Sequence, residues 1–485
     1  GAEVTIINES TGARHKLTTS STGSFLVPSI QAGLYTVEVR ASGFQTAART
    51  GIKLNAGTQY SVPPIRMEVG AVTETVTVEA GAELVQTTTA VVSNTVLEKQ
   101  IKELPIFDRN PINLISLQAG VTQNGRSNTV INGMRSSATN MTLDGVNIQD
   151  LFIKTSATFS PNAPRISQVA EFTVMNSNSG TNIGAGANQI NMITPSGTNE
   201  YHGEVFWYHR NGAFSANEWF DNARGAGASK LVQNQGGFNL GGPVVKDKLF
   251  GYGWYELFRR AESDSANATV LTANARQGIF SYIDSNQVLQ TVDVLALASL
   301  KLGSPVGIDP IMAALLAEVP TTFNNFDRGD SSSSQLLNTA GFGFTQSDGA
   351  TRDNWGFKID FVPNPKHSVA FTYNWSTRED ERPDIDATFN PNPVVTSGGD
   401  VNFLSTAYRW TPAANFTNEF RFGFNLAGVG FDNSIEHSGF VIENTTLFTN
   451  PVEDFRDQGR DTDVYSAQYN GSYTRGSHNL AFGYQ

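Results

Sequence analysis

Few side chains in these 485 residues are placed to do covalent chemistry. Cysteine is absent, which removes a thiolate nucleophile, a thiolate metal site and any disulfide framework. The histidines His15, His202, His209, His367, His437 and His478 are scattered. Only His202 and His209 are close, and at i, i+7 on a strand they point to opposite faces, so no metal site is expected. Glu379, Asp380, Glu381, Asp384 and Asp386 gather carboxylates in one polar stretch; calcium is conceivable, but carboxylates in an exposed loop are ordinarily solvated. Gly184-Ala185-Gly186 and Gly225-Ala226-Gly227 lack the remaining positions of a dinucleotide or phosphate loop. Arg328-Gly329-Asp330 is too short to specify anything. Asp144-Gly145, between two apolar runs, is explained by the positive φ angles of a tight turn. No nucleophile–base pair or paired carboxylates stand in a recognisable local motif, so the chain is expected not to be an enzyme and to need no cofactor.

What remains is main-chain hydrogen bonding. Glu74-Thr75-Val76-Thr77-Val78 is acidic at its start and then β-branched, a composition that favours the extended state. An extended, unpaired segment can add to the sheet edge of a partner, gripping through its backbone with little dependence on side chains. The structural alternative is a last strand of the preceding domain or a stiff linker. The expectation is an extended, exposed segment without a strand partner in its own chain.

The elements around this segment follow from composition and period. Charged residues make up 16 %, against about 25 % in a typical soluble domain, while Phe, Tyr and Trp together reach 10 %. The net charge of −12 offers no basic footprint for nucleic acid. No apolar run reaches the roughly 18 residues of a membrane helix. Gly1 opens directly into an alternating strand and Gln485 ends inside another, so an interior fragment is expected.

Residues 1–68 alternate at Val4/Ile6, Phe25/Val27, Tyr35/Val37/Val39 and Ile52/Leu54, with turn residues about every ten positions, which reads as a small β-sandwich. Residues 69–80 form a linker that holds Glu74–Val78. Residues 81–198 mix helix and strand. A capping box at Thr95-x-x-Glu98 precedes Leu97, Ile101 and Leu104; Asn110-Pro111 starts a second helix; Met141–Leu143 and Val146–Ile148 flank the Asp144-Gly145 turn; Glu171–Met175 and Ala187–Thr194 read as strands. From 199 to 485, segments of about ten residues are apolar at every second position. In Trp355–Phe361, Lys358 and Asp360 oppose Trp355, Phe357, Ile359 and Phe361; Phe371 and Tyr373 oppose Thr372; Phe420 and Phe422 oppose Glu419 and Arg421. Short turns at 243–247, 363–366, 412–414 and 475–476 alternate with long segments near 211–230, 259–351, 378–400 and 428–463. That alternation is the habit of outer-membrane barrels. Nine strands are counted, an odd number that cannot close a bacterial single-chain barrel. The fold class is therefore mainly β: an N-terminal immunoglobulin-like sandwich, an α+β domain, and an incomplete transmembrane antiparallel β-barrel.

Asn8…Thr11-Gly12, Gly23-Ser24-Phe25, Gly33–Val37 and Ala41–Phe44 resemble the carboxypeptidase-regulatory-like domain, an accessory module without catalytic function. Leu104-Pro105…Arg109-Asn110, Ile131–Ser136, Leu143–Val146, Thr194–Gly203, Asn234–Gly237…Gly241–Pro243 and Tyr255-Glu256 resemble, in family order, TonB-dependent outer-membrane receptors that carry such a domain. The resemblance implies that 81–198 is a plug filling the barrel, and that Glu74–Val78 is a TonB box, the site for a TonB-type energy-transducing partner. Arg109, Arg126 and Arg135 would lie in the plug, solvated or structural, or else paired with wall carboxylates or facing ligand. The implied setting is the cell outer membrane and its lipid, with the N-terminal domain and plug on the periplasmic side. The implied function is import of an extracellular ligand, a glycan, peptide or chelate, whose binding residues the loops do not disclose. A non-transporting adhesin or assembly subunit is the alternative, and it would need no α+β domain just before the first barrel strand.

Overall fold

The period-two pattern becomes three successive sheets in the computed structural model, which describes every residue except 28–29, 59, 71–74, 80–90, 105, 107–109, 125–127, 155, 178–185, 218, 220–221, 223–229, 387, 414, 436–446, 452–454 and 476–477. Strands β1 (Glu3–Asn8), β2 (Arg14–Thr18), β3 (Gly33–Arg40), β4 (Thr46–Leu54) and β5 (Thr75–Glu79) form the first sheet, in the order β2-β1-β3-β4-β5. Val4, Ile6, Leu17, Tyr35, Val37, Val39 and Ile52 point to one face and form its core. The opposing layer carries no ladder among the described residues; Phe25, Val27, Ile30, Tyr60, Val62, Ile65 and Met67 pack across from it.

The second unit, here the inner domain, contains β6 (Val92–Leu97), β7 (Val121–Asn124), β8 (Asn128–Ile131), β9 (Thr139–Leu143), β10 (Val146–Asn147), β11 (Glu171–Ser177) and β12 (Asn188–Ile193). Five of them make a mixed sheet, β10-β9-β12-β11-β6, with β12 and β9 parallel; β7 and β8 form a separate hairpin. The first helix spans Glu98–Glu103, but it does not start at Thr95 as the capping box implies. The β6–β11 ladder runs through Leu97, and Thr95 is within it, its hydroxyl 2.9 Å from that of Thr173. Only after Leu97 is the chain free to turn, and there the Leu97 N–H donates to Gln100 Oε1 at 3.0 Å. The Asn110-Pro111 start holds: Asn110 Oδ1 accepts from the Ile112 N–H at 3.1 Å, opening a 3-10 helix over Pro111–Leu117.

The third sheet is a curved antiparallel wall: β13 (His202–Asn211), β14 (Leu231–Val245), β15 (Leu249–Leu271), then β18 (Thr339–Asn364), β19 (His367–Glu381), β20 (Val395–Ala413), β21 (Phe416–Asn433), β23 (Val464–Arg475) and β24 (His478–Tyr484). β22 (Gln458–Asp461) pairs with the outer end of β21, and β16 (Ile279–Ile283) with β17 (Leu289–Asp293) forms a hairpin outside the wall. The nine strands along this path are those expected from the pattern, and among the described residues β13 and β24 are not joined. The strands are longer than expected. β15 has 23 residues and β18 has 26, where about 9–11 cross a bilayer. The segment read as a loop over 259–351 is strand to Leu271 and again from Thr339. Between them lies a folded external unit, with helices Val294–Leu302 and Pro310–Glu318. Val270, Leu271, Ala275, Val319 and Phe448 are buried beneath it, and Arg276 binds the carbonyls of Leu316, Val319 and Pro320.

The two faces of the wall sort as the alternation requires. Trp355, Phe357, Ile359, Phe361, Phe420 and Phe422 are exposed on the outer face. Lys358, Asp360, Thr372 and Glu419 are buried on the inner face, against the inner domain, and Arg421 shares that side. Phe357 stacks on Phe371, and Trp355 packs on Tyr373 and Trp375. Just beyond these rings, Arg259 pairs with Asp353 at 2.6 Å on the same face, which marks the end of the apolar band. From Phe361 to Trp355 the band covers roughly 20 Å at about 3.3 Å per residue, close to the ~25 Å of such barrels.

The N-terminal domain sits at the short-turn end of the wall. Gln31 donates to Asp360 at 3.0 Å, and the Asn199 N–H to the Ser10 carbonyl at 3.1 Å. His15 lies there beside Arg409 and Thr411. Burial, and then the Arg409 guanidinium, push its pKa from 6.5 to about 4.

Two outcomes follow from this architecture. Phe357→Lys places a charge on the outer apolar face and should destabilise the protein in phospholipid vesicles by about 2–4 kcal/mol in equilibrium unfolding, whereas Thr345→Lys, on the strand's outer extension, should cost little. Because His15 is held neutral, docking of residues 1–68 should be complete above about pH 6.5 and weaken as pH falls towards 4. Hydrogen exchange of that domain should follow this curve, and His15→Gln should flatten it.

Candidate functional site

The segment singled out for strand addition is extended, but it is not unpaired. Thr75–Glu79 lies parallel to Thr46–Thr50, in register Thr46↔Thr75 through Thr50↔Glu79; Glu74 is outside the described residues. This corrects the expectation of a segment without a partner in its own chain. The physical reason is that β4 would otherwise be the sheet's bare edge, and a β-branched segment a short distance along the chain satisfies it. As the last strand of the sheet, β5 has no partner on its other edge among the described residues, and Val76 is 39 % exposed.

The second focus is the tip of the β9–β10 hairpin, which meets the wall at Ser405, Arg421 and Gln468. Asp144 and Gly145 have φ of 44° and 81°, the turn chemistry their types imply. Glycine is required at 145 twice over, because a Cβ there would also meet the Arg421 guanidinium. Ser405 Oγ donates to the Asp144 carbonyl at 2.8 Å, Arg421 Nη1 donates to the same oxygen, and Gln468 Nε2 donates to the Gly145 carbonyl at 3.1 Å. Asp144 Oδ1 accepts the Thr194 N–H at 3.0 Å, and Lys358 Nζ, 3.9 Å from that carboxylate, donates to the Thr194 carbonyl at 2.8 Å. One wall lysine thus ties the turn to the segment that leads into the wall. Glu419 lies between Arg409 and Arg421, at 2.6 and 3.0 Å, and balances the guanidinium that grips the turn. None of these groups forms a nucleophile–base arrangement; they hold backbone in place.

Two further seams complete the site. Towards the outside, the fully buried Asp150 carboxylate takes both Nη2 and Nε of Arg460, at 2.6 and 3.2 Å, and its other oxygen accepts the N–H groups of Phe152 and Ile153. Burial raises this carboxyl, but the Arg460 bonds and the two backbone donors outweigh it and hold its pKa below the usual range. Towards the N-terminal domain, the buried Glu171 carboxylate accepts the Ala56 N–H at 2.6 Å and pairs with Lys53 at 3.3 Å. A cavity of about 2010 Å³ lies among the N-terminal domain, the inner domain and the wall.

The other residues named from sequence disperse. Arg109 and Arg126 lie outside the described residues, and Arg135 is exposed beside the 136–138 turn. At the described seams wall cations hold carbonyls and a carboxylate of the inner domain, and an inner-domain cation, Lys102, pairs with the wall carboxylate of Glu204 at 2.7 Å. His209 meets Asn234 at 2.8 Å, apart from His202, and no group of three metal-ligating side chains occurs among the described residues. The acidic cluster is also split up. Asp380 binds Arg352, Glu381 accepts from Ser347 and the Gly349 N–H, Asp384 binds Arg382, and Asp386 turns back on Thr388 and Val394. Lys358 and Arg421 were recognisable as inward-facing from the alternation. Their partners were not, because those are backbone carbonyls that carry no sequence signal.

Residues 193–485 match the outer membrane beta barrel domain family, and residues 1–68 match the carboxypeptidase regulatory-like domain. Among curated proteins, the TonB-dependent transporter Oar of Myxococcus xanthus is 27 % identical over 265 residues, covering 51 % of this chain and 24 % of its own length. Among solved structures, the siderophore receptor PirA of Acinetobacter baumannii aligns over 81 % of this chain and 55 % of its own, at 13 % identity and a TM-score of 0.37. The outer membrane transporter YddB of Escherichia coli aligns over the same shares at 10 % identity and a TM-score of 0.38. The chain thus spans about a quarter of the curated relative and just over half of these structures. With three-fifths of its residues in the matched wall, this chain belongs to the outer membrane β-barrel domain family.

Proposed function

We propose that the protein takes part in active import across the outer membrane. In this reading the wall of 199–485 is part of a barrel, the inner domain of 81–198 is its plug, and residues 1–68 are an accessory module on the periplasmic side. Ligand arrives at the long loops. A TonB-type partner adds a strand at Glu74–Val78 and pulls the plug. The observation that carries the reading is the seating of the inner domain: its Asp144-Gly145 turn is held by Ser405, Arg421 and Gln468, and its Thr194 carbonyl by Lys358, through hydrogen bonds that can be broken and remade without chemistry. An adhesin has no use for a domain held in that way. The pairing of β5 with β4 is compatible with strand addition, because the partner meets the free edge of β5 or displaces β4.

Val76→Pro removes a ladder N–H and fixes φ. Energised uptake should fall below about a tenth of wild type, while ligand binding and barrel assembly stay intact; Val76→Thr keeps the β-branched shape and should transport. Normal uptake by the proline variant would overturn the assignment of the box. For the grip on the plug, Lys358→Met with Arg421→Met removes two charged donors. At about 1.4 kcal/mol per tenfold, amide exchange at Val146 and Thr194 should quicken by roughly tenfold or more.

A further inference from the structure

Residues 1–68 touch two bodies at once. Against the inner domain, the turn that follows β4 delivers the Ala56 N–H to Glu171 Oε1 at 2.6 Å, and Lys53 on β4 reaches the other carboxylate oxygen at 3.3 Å. Glu171 opens β11, which lies between β12 and β6 in the mixed sheet. It is buried, and among the described residues both groups that bind its carboxylate come from residues 1–68. Gly57, next in the same turn, lets the backbone come so close that a Cβ there would meet Asn191 on β12 and Met175 on β11.

The second body is the wall. The Asn199 N–H donates to the Ser10 carbonyl at 3.1 Å, and Asn199 is itself fixed by the β14–β15 turn: its Nδ2 donates to Asp247 Oδ1 at 2.8 Å and its Oδ1 accepts the Asp247 N–H at 2.9 Å. Gly12, at φ of 69°, lies so near that a Cβ would strike the same Asp247 carboxylate. Further round, Gln31 donates to the buried Asp360 on β18 at 3.0 Å. The sheet that carries both sets of contacts has its own apolar core and moves as one piece. The inner domain therefore cannot shift relative to the wall while both sets hold. The bonds are polar and individually modest, so they yield to a pull and reform after it.

We infer that residues 1–68 are a reversible clamp that fastens the inner domain to the wall. Ala56 and Lys53 on Glu171 are its hold on the inner domain; Ser10 on Asn199 and Gln31 on Asp360 are its anchor on the wall. The clamp itself follows from these contacts, and its use in uptake rests on the import reading. In that setting β5 belongs to the clamp's own sheet, and β4 leads from Thr50, where the β5 ladder ends, to Ala56 on the Glu171 seam. A pull along β5 thus loads the clamp before it loads the inner domain.

The test follows hydrogen exchange of the full-length protein in phosphatidylcholine vesicles by mass spectrometry, with no ligand and no partner present. The readout is Val146, which packs against Gly423 of the wall and belongs to the inner domain. Gln31→Ala with Gly12→Asn loosens only the wall anchor, since asparagine tolerates the positive φ at position 12 and its side chain displaces Asp247. Exchange at Val146 should quicken by roughly tenfold. Ser10→Cys with Asn199→Cys introduces the only two thiols of residues 1–485, across a backbone hydrogen bond that brings their Cα atoms within disulfide reach. Oxidised, this variant should exchange more slowly at Val146 than the same protein reduced with dithiothreitol. Arg40→Met breaks the exposed pair with Glu38 on the same domain and should leave Val146 unchanged. A faster exchange confined to residues 1–68, equal rates at Val146 in the oxidised and reduced forms, an Arg40→Met effect matching that of the anchor variant, or failure of the two cysteines to join under copper phenanthroline would each overturn the clamp. Normal uptake by Val76→Pro would overturn the box and leave these exchange rates as they are, so the two failures are distinguishable.

Discussion

A strand that shows lipid one face must show its other face to something polar, and the rest of this structure is a response to that constraint. The residues interleaved with Trp355, Phe357, Ile359 and Phe361 are Lys358 and Asp360, and further round the wall Thr372, Glu419 and Arg421. Such a face cannot be left dry, since an unpaired charge in a low-dielectric interior is among the most costly features a fold can carry. The inner domain meets the requirement. Its turn carbonyls, its Thr194 backbone and its Asp150 carboxylate are what the wall's cations bind. The seam is polar in both directions. A hydrophobic seam would be tighter and would leave the inner domain permanently in place.

The elements with a strong period were legible in the sequence and those set by tertiary pairing were not. The outer and inner faces of β18 were readable because Trp355–Phe361 alternates without a break. The Asp144-Gly145 turn was readable because its residue types are dictated by positive φ. Thr95 misled because its capping pattern is local, and the β6–β11 ladder overrides it. The segment 272–338 looked like a polar loop because its apolar residues follow no single period; they meet through a cluster drawn from five separate places in the chain. The site was legible in the same partial way. Which side chains face inward could be read from their spacing. That Ser405 and Arg421 hold the same carbonyl could not, because a carbonyl oxygen is the same for every residue.

The charge arrangement changes with height along the wall. At the short-turn end, acid and base alternate closely, as in Arg409–Glu419–Arg421, and the balance is near neutral. Above the aromatic band the pairs lie further apart: Arg352 with Asp380, Arg382 with Asp384, Arg460 with Asp150, and Arg260 between Glu262 and Asp348.

The parallel register of β5 on β4 has a mechanical consequence. A strand held by a short ladder resists load along its axis far better than load across it: along the axis all the bonds must shear together, and across it they open one at a time, like a zip. Five residue pairs join Thr46–Thr50 to Thr75–Glu79. A pull directed away from the sheet edge would open them in sequence at low force and leave the N-terminal domain folded. A pull along the strand would load the ladder as a unit and pass tension into the sheet of β1–β4. The direction of the force therefore decides whether this domain is a bystander or a link in the chain that carries the load.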